Sequence, residues 1–283
     1  MEPNNRILIT GITGFVGKNL YDKLSSLGFE VLGISRQNLK DPEIIHCDLT
    51  SKESTVEALS KIPDNFTVIH CAALAHSKDK TLGQSYSAMN IAITQNLIDA
   101  VQARSSKFIF LSSIAVYGMD GRDYSVGVED ELKPSTDYGK SKLECEEIIK
   151  SSKVDDYIIL RLGPVFDESN LDDVKKRVFF PGQEFLKHRI FPTPSYSLCH
   201  INTAVSKIVE LVKDDSPKPL TLNIADPQPY TQKQLSQQFA GIEIPVPAAL
   251  ISPICSFLSV LPFQKSYAIQ CLLGKLFKNN IYS

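Results

Sequence analysis

Over the first 160 residues, short runs of consecutive apolar side chains alternate with longer runs in which apolar positions recur every three or four residues. Residues 6–10 (RILIT), 30–35 (EVLGIS), 44–47, 67–72 (TVIHCA), 107–111 (KFIFL) and 157–162 (YIILRL) are apolar almost without interruption. That pattern predicts strands buried on both faces. Between them, residues 15–27, 52–62, 83–103 and 137–151 carry helical spacing, and Gly28 is a fitting stop for the first. Strands alternating with helices predict an α/β fold. Right-handed crossovers make it a doubly wound parallel sheet of the Rossmann type.

After Gly163 the rhythm changes. The charged stretch 168–177 predicts a loop, 179–188, 204–213 and 231–239 predict helices, and 220–224 predicts a strand. This part reads as a smaller C-terminal lobe, from which elements around 200–225 return to the sheet. The apolar run 248–263 contains Pro253 and Pro262 and is too short to span a bilayer. A buried or interfacial segment is expected there. No basic-plus-apolar leader precedes the first strand, so no signal peptide is expected.

Composition narrows the classes. The chain has 283 residues, 43% of them apolar and 22% charged, which argues against extended disorder. A formal net charge of −2 gives no reason to expect nucleic acid or an anionic membrane as partner. Six cysteines, at 47, 71, 145, 199, 255 and 271, form no CxxC pair. Neither a metal site nor a disulfide framework is expected, and a reducing, cytoplasmic setting fits.

The first strand runs into Gly11-Ile12-Thr13-Gly14-Phe15-Val16-Gly17. Gly11 and Gly14 allow a tight turn close to a pyrophosphate, Thr13 lies between them, and Gly17 permits close helix–strand packing. The helix begins at Phe15 and Val16, where free N–H groups and a partial positive charge favour phosphate. The spacing is GxxGxxG rather than GxGxxG. On this basis residues 1–165 are expected to be a dinucleotide-binding core and 166–283 mostly a substrate-binding lobe. The second strand ends in Ser35-Arg36-Gln37 with no acid before Asp41. A carboxylate there would hold the ribose hydroxyls and repel a 2′-phosphate, whereas the arginine fork suits that phosphate. NADP(H) is therefore favoured, with NAD(H) as the alternative.

Tyr138 and Lys142 stand four residues apart, on one face of a helix. A nearby ammonium stabilises a phenolate and brings a tyrosine closer to proton transfer at neutral pH. The same ammonium can hold the nicotinamide ribose. Strand 107–111 ends in Ser112-Ser113, at the edge where open α/β sheets bind ligands. Ser113 can hold a substrate oxygen there while Tyr138 moves the proton.

With these pieces in this order, the chain resembles the extended short-chain dehydrogenase/reductase superfamily, in its nucleotide-sugar epimerase/dehydratase/reductase group. The resembling features are TGITGFVG, Cys47-Asp48-Leu49, VIHCAA, Asn90, SSIAVYG, YGKSK and Arg161 within ILRLGPVF. The resemblance implies that Asp48 binds the adenine amino group with Leu49 beside the ring. It implies that Cys71, Ala72 and Ala73 line the cofactor, that Asn90 supports the active-site helix on the cofactor side, and that Leu162 contacts the nicotinamide amide. Ser113, Tyr138 and Lys142 would be catalytic. Departures fall near the substrate lobe: Asp167-Glu168 stands where the group often has Gly-Pro, and Ile201-Asn202-Thr203 where a Val-Asp-Asp or Val-Asp-Asn run is common. The sequence also ends at Ser283, where relatives usually continue, which implies a truncated chain or a reduced lobe.

The function expected is hydride transfer at C4 of a nucleotide-activated hexose by a 4-ketoreductase. Residues 232–247 and the apolar tail are similar to the deoxy-N-acetylsugar 4-ketoreductases of bacterial surface-polysaccharide pathways. Alternatives are a nucleotide-sugar 4-epimerase, a reductase of a small hydrophobic ketone, and a non-catalytic dinucleotide sensor. Lys187, Arg189 and Tyr196 are the candidates for holding a nucleotide diphosphate, and a homodimer is compatible with the sequence.

Overall fold

A computed structural model of the protein describes residues 5–74, 86–118, 124–216, 219–250 and 278–283. Along the chain run β1 (Arg6–Thr10), α1 (Phe15–Ser26), β2 (Glu30–Ser35), β3 (Ile44–His46), α2 (Lys52–Ser60), β4 (Phe66–His70), α3 (Tyr86–Val101), β5 (Ser105–Ser113), α4 (Asp137–Lys150) and β6 (Tyr157–Leu162). Then come β7 (Val165–Phe166), α5 (Asp172–Lys175), β8 (Leu186–Phe191), β9 (Ser195–Tyr196), β10 (Cys199–His200), α6 (Ile201–Lys213), β11 (Leu220–Ile224), β12 (Tyr230–Thr231), α7 (Gln232–Gln237) and β13 (Ile242–Pro247).

Seven strands form one sheet in the order β11-β6-β5-β4-β1-β2-β3. β1 pairs in parallel with both β2 and β4, β2 with β3, and β4 with β5. The chain winds outward from β1 to β3, then crosses to β4 on the other side. That reversal leaves a crevice beyond the carboxyl ends of β1 and β4. The strands read as unbroken apolar runs because helices cover both faces. Ile7, Leu8 and Ile9 are fully buried, and Leu8 shares a core cluster with the fully buried Phe66, Phe108 and Leu97. Each such side chain contributes roughly 1.5–3 kcal/mol by leaving water. Lys107, buried on β5, closes the end of α6: its Nζ donates to the carbonyls of Leu211 at 3.1 Å and Asp214 at 2.5 Å. A cation there also meets the negative end of the helix dipole.

The chain forms two compact units. One comprises Met1–Val116, Thr136–Arg161 and Val205–Leu222, and the other Tyr117–Ser135, Leu162–Ala204 and Asn223–Ser283. The second unit contains three two-stranded pairs, β7 with β10, β9 with β12 and β8 with β13. Phe166, Val174, Val178, Phe179, Tyr196, Leu198 and Leu235 form its core. Residues 280–283 thread through it: Val126 N–H donates to Ile281 O and Ser283 N–H to Val126 O, both at 2.9 Å.

Two local expectations are corrected here. Residues 179–188 are not a helix. Pro181 disfavours helical backbone at Phe180, Gly182 turns the chain at φ 74°, and Leu186 onward pairs in parallel with β13. The stretch 168–177 is not all loop, since α5 forms within it. Of the apolar run 248–263, residues from 251 onward lie outside the described residues, as do Cys255 and Cys271. Cys47, Cys71, Cys145 and Cys199 are free thiols. Among the described residues, no helix is long and apolar enough to cross a membrane.

Candidate active site

β1 hands the chain to Gly11, whose φ of 71° lies in the left-handed region. A Cβ at this position would sit 2.7 Å from Ala72 N, so the exits of β1 and β4 meet this closely only because residue 11 is glycine. A Cβ on Gly17 would run into the Gly11 carbonyl oxygen, so α1 can lie against the turn only with glycine there. α1 starts from Gly14 with no side-chain cap and no acidic residue in its first turn, whereas Ser51, Thr136 and Thr231 cap α2, α4 and α7. Its N-terminal N–H groups are therefore open to an anion.

One cleft is bordered by Gly11, Thr13, Gly14, Ser35, Arg36, Asp48, Leu49, Cys71, Ala72 and Ala73. The structure thus gathers at the sheet's crevice most of the positions expected to hold a dinucleotide. Phe15 and Val16 form the half-buried first turn of α1 behind it, and Gly17 is buried. Ser35 Oγ accepts from Gln37 N at 2.9 Å, which tightens the turn carrying the exposed Arg36. Asp48 Oδ1 accepts from Thr50 N and Thr50 Oγ1 at 3.0 and 2.8 Å. Sequence reading missed Ile34, Gln37, Cys47, Leu74 and Ile93 on the cleft wall. The first four adjoin expected positions, and Ile93 lies one helical turn beyond Asn90, so strand-end and i,i+3 neighbourhood was the available signal. The glycine cradle, the uncapped helix and the exposed Arg36 fit a dinucleotide phosphate chain.

Beneath the cleft lies a buried polar brace. His70 sits with its ring nitrogens 2.7 Å from Thr10 Oγ1 and 3.0 Å from Thr94 Oγ1. Ala72 N–H donates to the same Thr10 hydroxyl at 3.1 Å. Burial, then the Lys142 ammonium, push His70 down to about 3, so the imidazole is neutral. The Asn90 side-chain oxygen accepts from Leu74 N at 2.8 Å, and its Nδ2 donates to Leu74 O and to Ser141 Oγ, each at 3.2 Å. The bond to Ser141 is of the kind expected of a residue that supports the active-site helix. Asn90 is buried and ties the loop after β4 to α4.

The proton-transfer candidates stand on α4 and β5. Thr136 Oγ1 accepts from Gly139 N and starts α4, which presents Tyr138, Lys142 and Glu146 at helical spacing. Tyr138 is half-buried and Lys142 is 3% exposed. The ammonium of Lys142 lies 5.9 Å from the Tyr138 ring centre and 4.6 Å from that of Phe110, and donates to Leu111 O at 2.7 Å. Burial lowers Lys142 to about 8, opposed by Cys145, Cys71 and Glu146. At neutral pH it is charged. Ser113, half-buried, closes β5 two residues beyond Leu111, with its Oγ accepting from Ala115 N at 3.2 Å. A phenol, a buried ammonium and a strand-end hydroxyl near one sheet edge suit proton exchange with a substrate oxygen.

The substrate candidates fare differently. Lys187 is 6% exposed, and its Nζ donates to the carbonyls of Phe239 and Ser236 at 2.9 and 3.2 Å beside Glu243. Tyr196 is fully buried in the second unit's core under the Arg177 guanidinium. Both are structural, correcting their assignment to a ligand. Arg189 on β8 is exposed, while its neighbours His188 and Ile190 are buried. Leu162 is buried at the end of β6.

The chain is 30% identical over 155 residues to a dTDP-4-dehydrorhamnose reductase of Mycolicibacterium smegmatis, a match covering 54% of this chain and 44% of that protein. It is 33% identical over 150 residues to a UDP-glucose 4-epimerase of Vibrio cholerae, covering 50% and 45%. The chain thus spans about half the length of the curated relatives it matches. A solved short-chain dehydrogenase/reductase superfamily protein from Agrobacterium tumefaciens, with bound NAD, superposes with a TM-score of 0.72 over 86% of both chains at 20% identity. Residues 7–181 match the family model described as the NAD dependent epimerase/dehydratase family, and the chain belongs to that family.

Proposed function

We propose that this protein is an NADP(H)-preferring oxidoreductase that reduces the C4 ketone of a nucleotide-activated sugar. What supports this reading is the Lys142 ammonium 5.9 Å from the Tyr138 ring centre, tied to Leu111 O on the strand that ends at Ser113, with Cys71 of the glycine-loop cleft among the groups acting on it. The glycine turn and the open start of α1 hold the pyrophosphate, and Arg36 pairs with a 2′-phosphate. The bound cofactor supplies the hydride. Ser113 Oγ–H donates to the ketone oxygen and orients the carbonyl. Tyr138 delivers its phenolic proton to the same oxygen as negative charge develops there. Lys142, charged at neutral pH, stabilises the phenolate left behind and steadies the cofactor ribose. Arg189, the exposed one of the three substrate candidates, offers a charge-assisted hydrogen bond to a diphosphate.

A 4-epimerase is the second reading, favoured by the likeness to a UDP-glucose 4-epimerase. Cofactor stoichiometry separates the two. The enzyme is incubated with NADPH and dTDP- or UDP-4-ketosugars while reduced-cofactor absorbance is followed. A reductase consumes one NADPH for each sugar reduced. An epimerase interconverts the C4 epimers of an intact sugar with no net consumption, and that result would replace the first reading with the second.

A further inference from the structure

Three elements that carry the proposed chemistry meet on one carboxylate. Glu146 is fully buried on α4, one turn beyond Lys142 and two beyond Tyr138. Its Oε1 accepts from Ser112 Oγ at 2.5 Å and from Arg161 Nε at 3.1 Å, and its Oε2 accepts from Arg161 Nη2 at 2.8 Å. Ser112 and Arg161 are each 3% exposed. Ser112 immediately precedes Ser113 on β5, and Arg161 immediately precedes Leu162 on β6. Lys142 makes a second tie between the same helix and strand through Leu111 O.

Burying an ion pair this deeply is a poor route to stability alone, because desolvation offsets much of the Coulombic gain. The two-pronged guanidinium–carboxylate contact supplies direction instead: it fixes both rotation and distance between the elements it joins. Here it fixes the helix bearing the phenol and ammonium against the strand bearing the hydroxyl.

We propose that Glu146, clamped by Arg161 and Ser112, is a positioning residue for proton transfer, locking α4 to β5 so that Tyr138 and Lys142 stand in register with Ser113. The proposal rests on Tyr138 being the acid/base. The groups facing Lys142 are Tyr138, Cys145 and Glu146 on α4, with His70 and Cys71 on β4 and its exit. Glu146 is the carboxylate of that set. Its loss therefore also changes the field at the ammonium.

The test uses Ser112→Ala, Glu146→Gln and the double variant Glu146→Leu with Arg161→Met, which removes both members of the buried ion pair together and so guards against a variant that fails to fold. Each is compared with the parent in thermal midpoint, NADPH affinity, kcat and KM well below its midpoint, and Tyr138 phenolate titration read by ultraviolet difference against Tyr138→Phe. Misregister predicts kcat lower by about 10- to 100-fold in the double variant. NADPH affinity should fall far less than kcat, because the glycine turn and Arg36 are untouched, and the Tyr138 titration should be displaced, even where the thermal midpoint is parental. A folded double variant with parental kcat and parental Tyr138 titration overturns the proposal. If Tyr138→Phe itself keeps parental turnover, the acid/base assignment fails, a result separate from any effect at Glu146.

Discussion

A phenol ionises near pH 10, so Tyr138 can exchange a proton readily at neutral pH only beside a positive charge. Lys142 supplies it from a buried position, where burial lowers it to about 8 and leaves it charged at neutral pH. Tyr138→Phe should lower kcat by roughly 10²–10⁴-fold, as removal of a general acid does, while NADPH affinity stays parental. Steady-state kinetics with fluorescence titration of the cofactor checks both halves. At the other end of the cleft, Arg36→Asp should weaken NADPH and strengthen NADH, because it exchanges a phosphate partner for a carboxylate that can hold ribose hydroxyls. Paired titrations of both cofactors against both proteins read the switch directly. These residues were legible in the sequence because each depends on short spacing: a Tyr and a Lys one helical turn apart, a basic side chain just past a strand. Lys187 and Tyr196 were misread because composition advertises charge and aromaticity but not burial. The partners that consume Lys187, the Ser236 and Phe239 carbonyls, come from a distant helix end.

Among the elements, β1, β2 and β6 coincide with the uninterrupted apolar runs. β8 was hidden because its partner β13 lies more than fifty residues further on, and parallel pairing leaves no hairpin signal between them. The ends of β1 and β4 illustrate a different limit. His70 reads in sequence as one polar position in an apolar strand, yet it spans two threonine hydroxyls and stays neutral. Its native value near 3 lies well below the ordinary value of about 6.5, so between these limits the unfolded chain binds a proton that the folded chain does not. Stability from this group is full above about pH 6.5 and falls as pH drops toward 3, by at most about 1.4 kcal/mol per unit. Urea unfolding at several pH values should give a shallower acid loss for His70→Gln than for the parent, although the variant is less stable at neutral pH. Parallel pH dependences would contradict the buried neutral imidazole.

For the molecule as a whole, the first unit carries the candidate cofactor cleft and the proposed acid/base chemistry, and the second carries the exposed arginine that remains for substrate. Calorimetry with uridine and thymidine diphosphates, at saturating cofactor, should show binding that weakens in Arg189→Ala by about 10-fold, the size of one charge-assisted hydrogen bond. No binding of either nucleotide would favour a small hydrophobic ketone as substrate. Neither titration follows the chemical step. That step is read by supplying cofactor deuterated at the reactive nicotinamide carbon together with a nucleotide-4-ketosugar, and locating the label in the product by mass spectrometry and NMR. Direct hydride transfer predicts a single deuterium on the sugar at C4, absent in Tyr138→Phe. Product carrying no deuterium, or deuterium at another carbon, would contradict it.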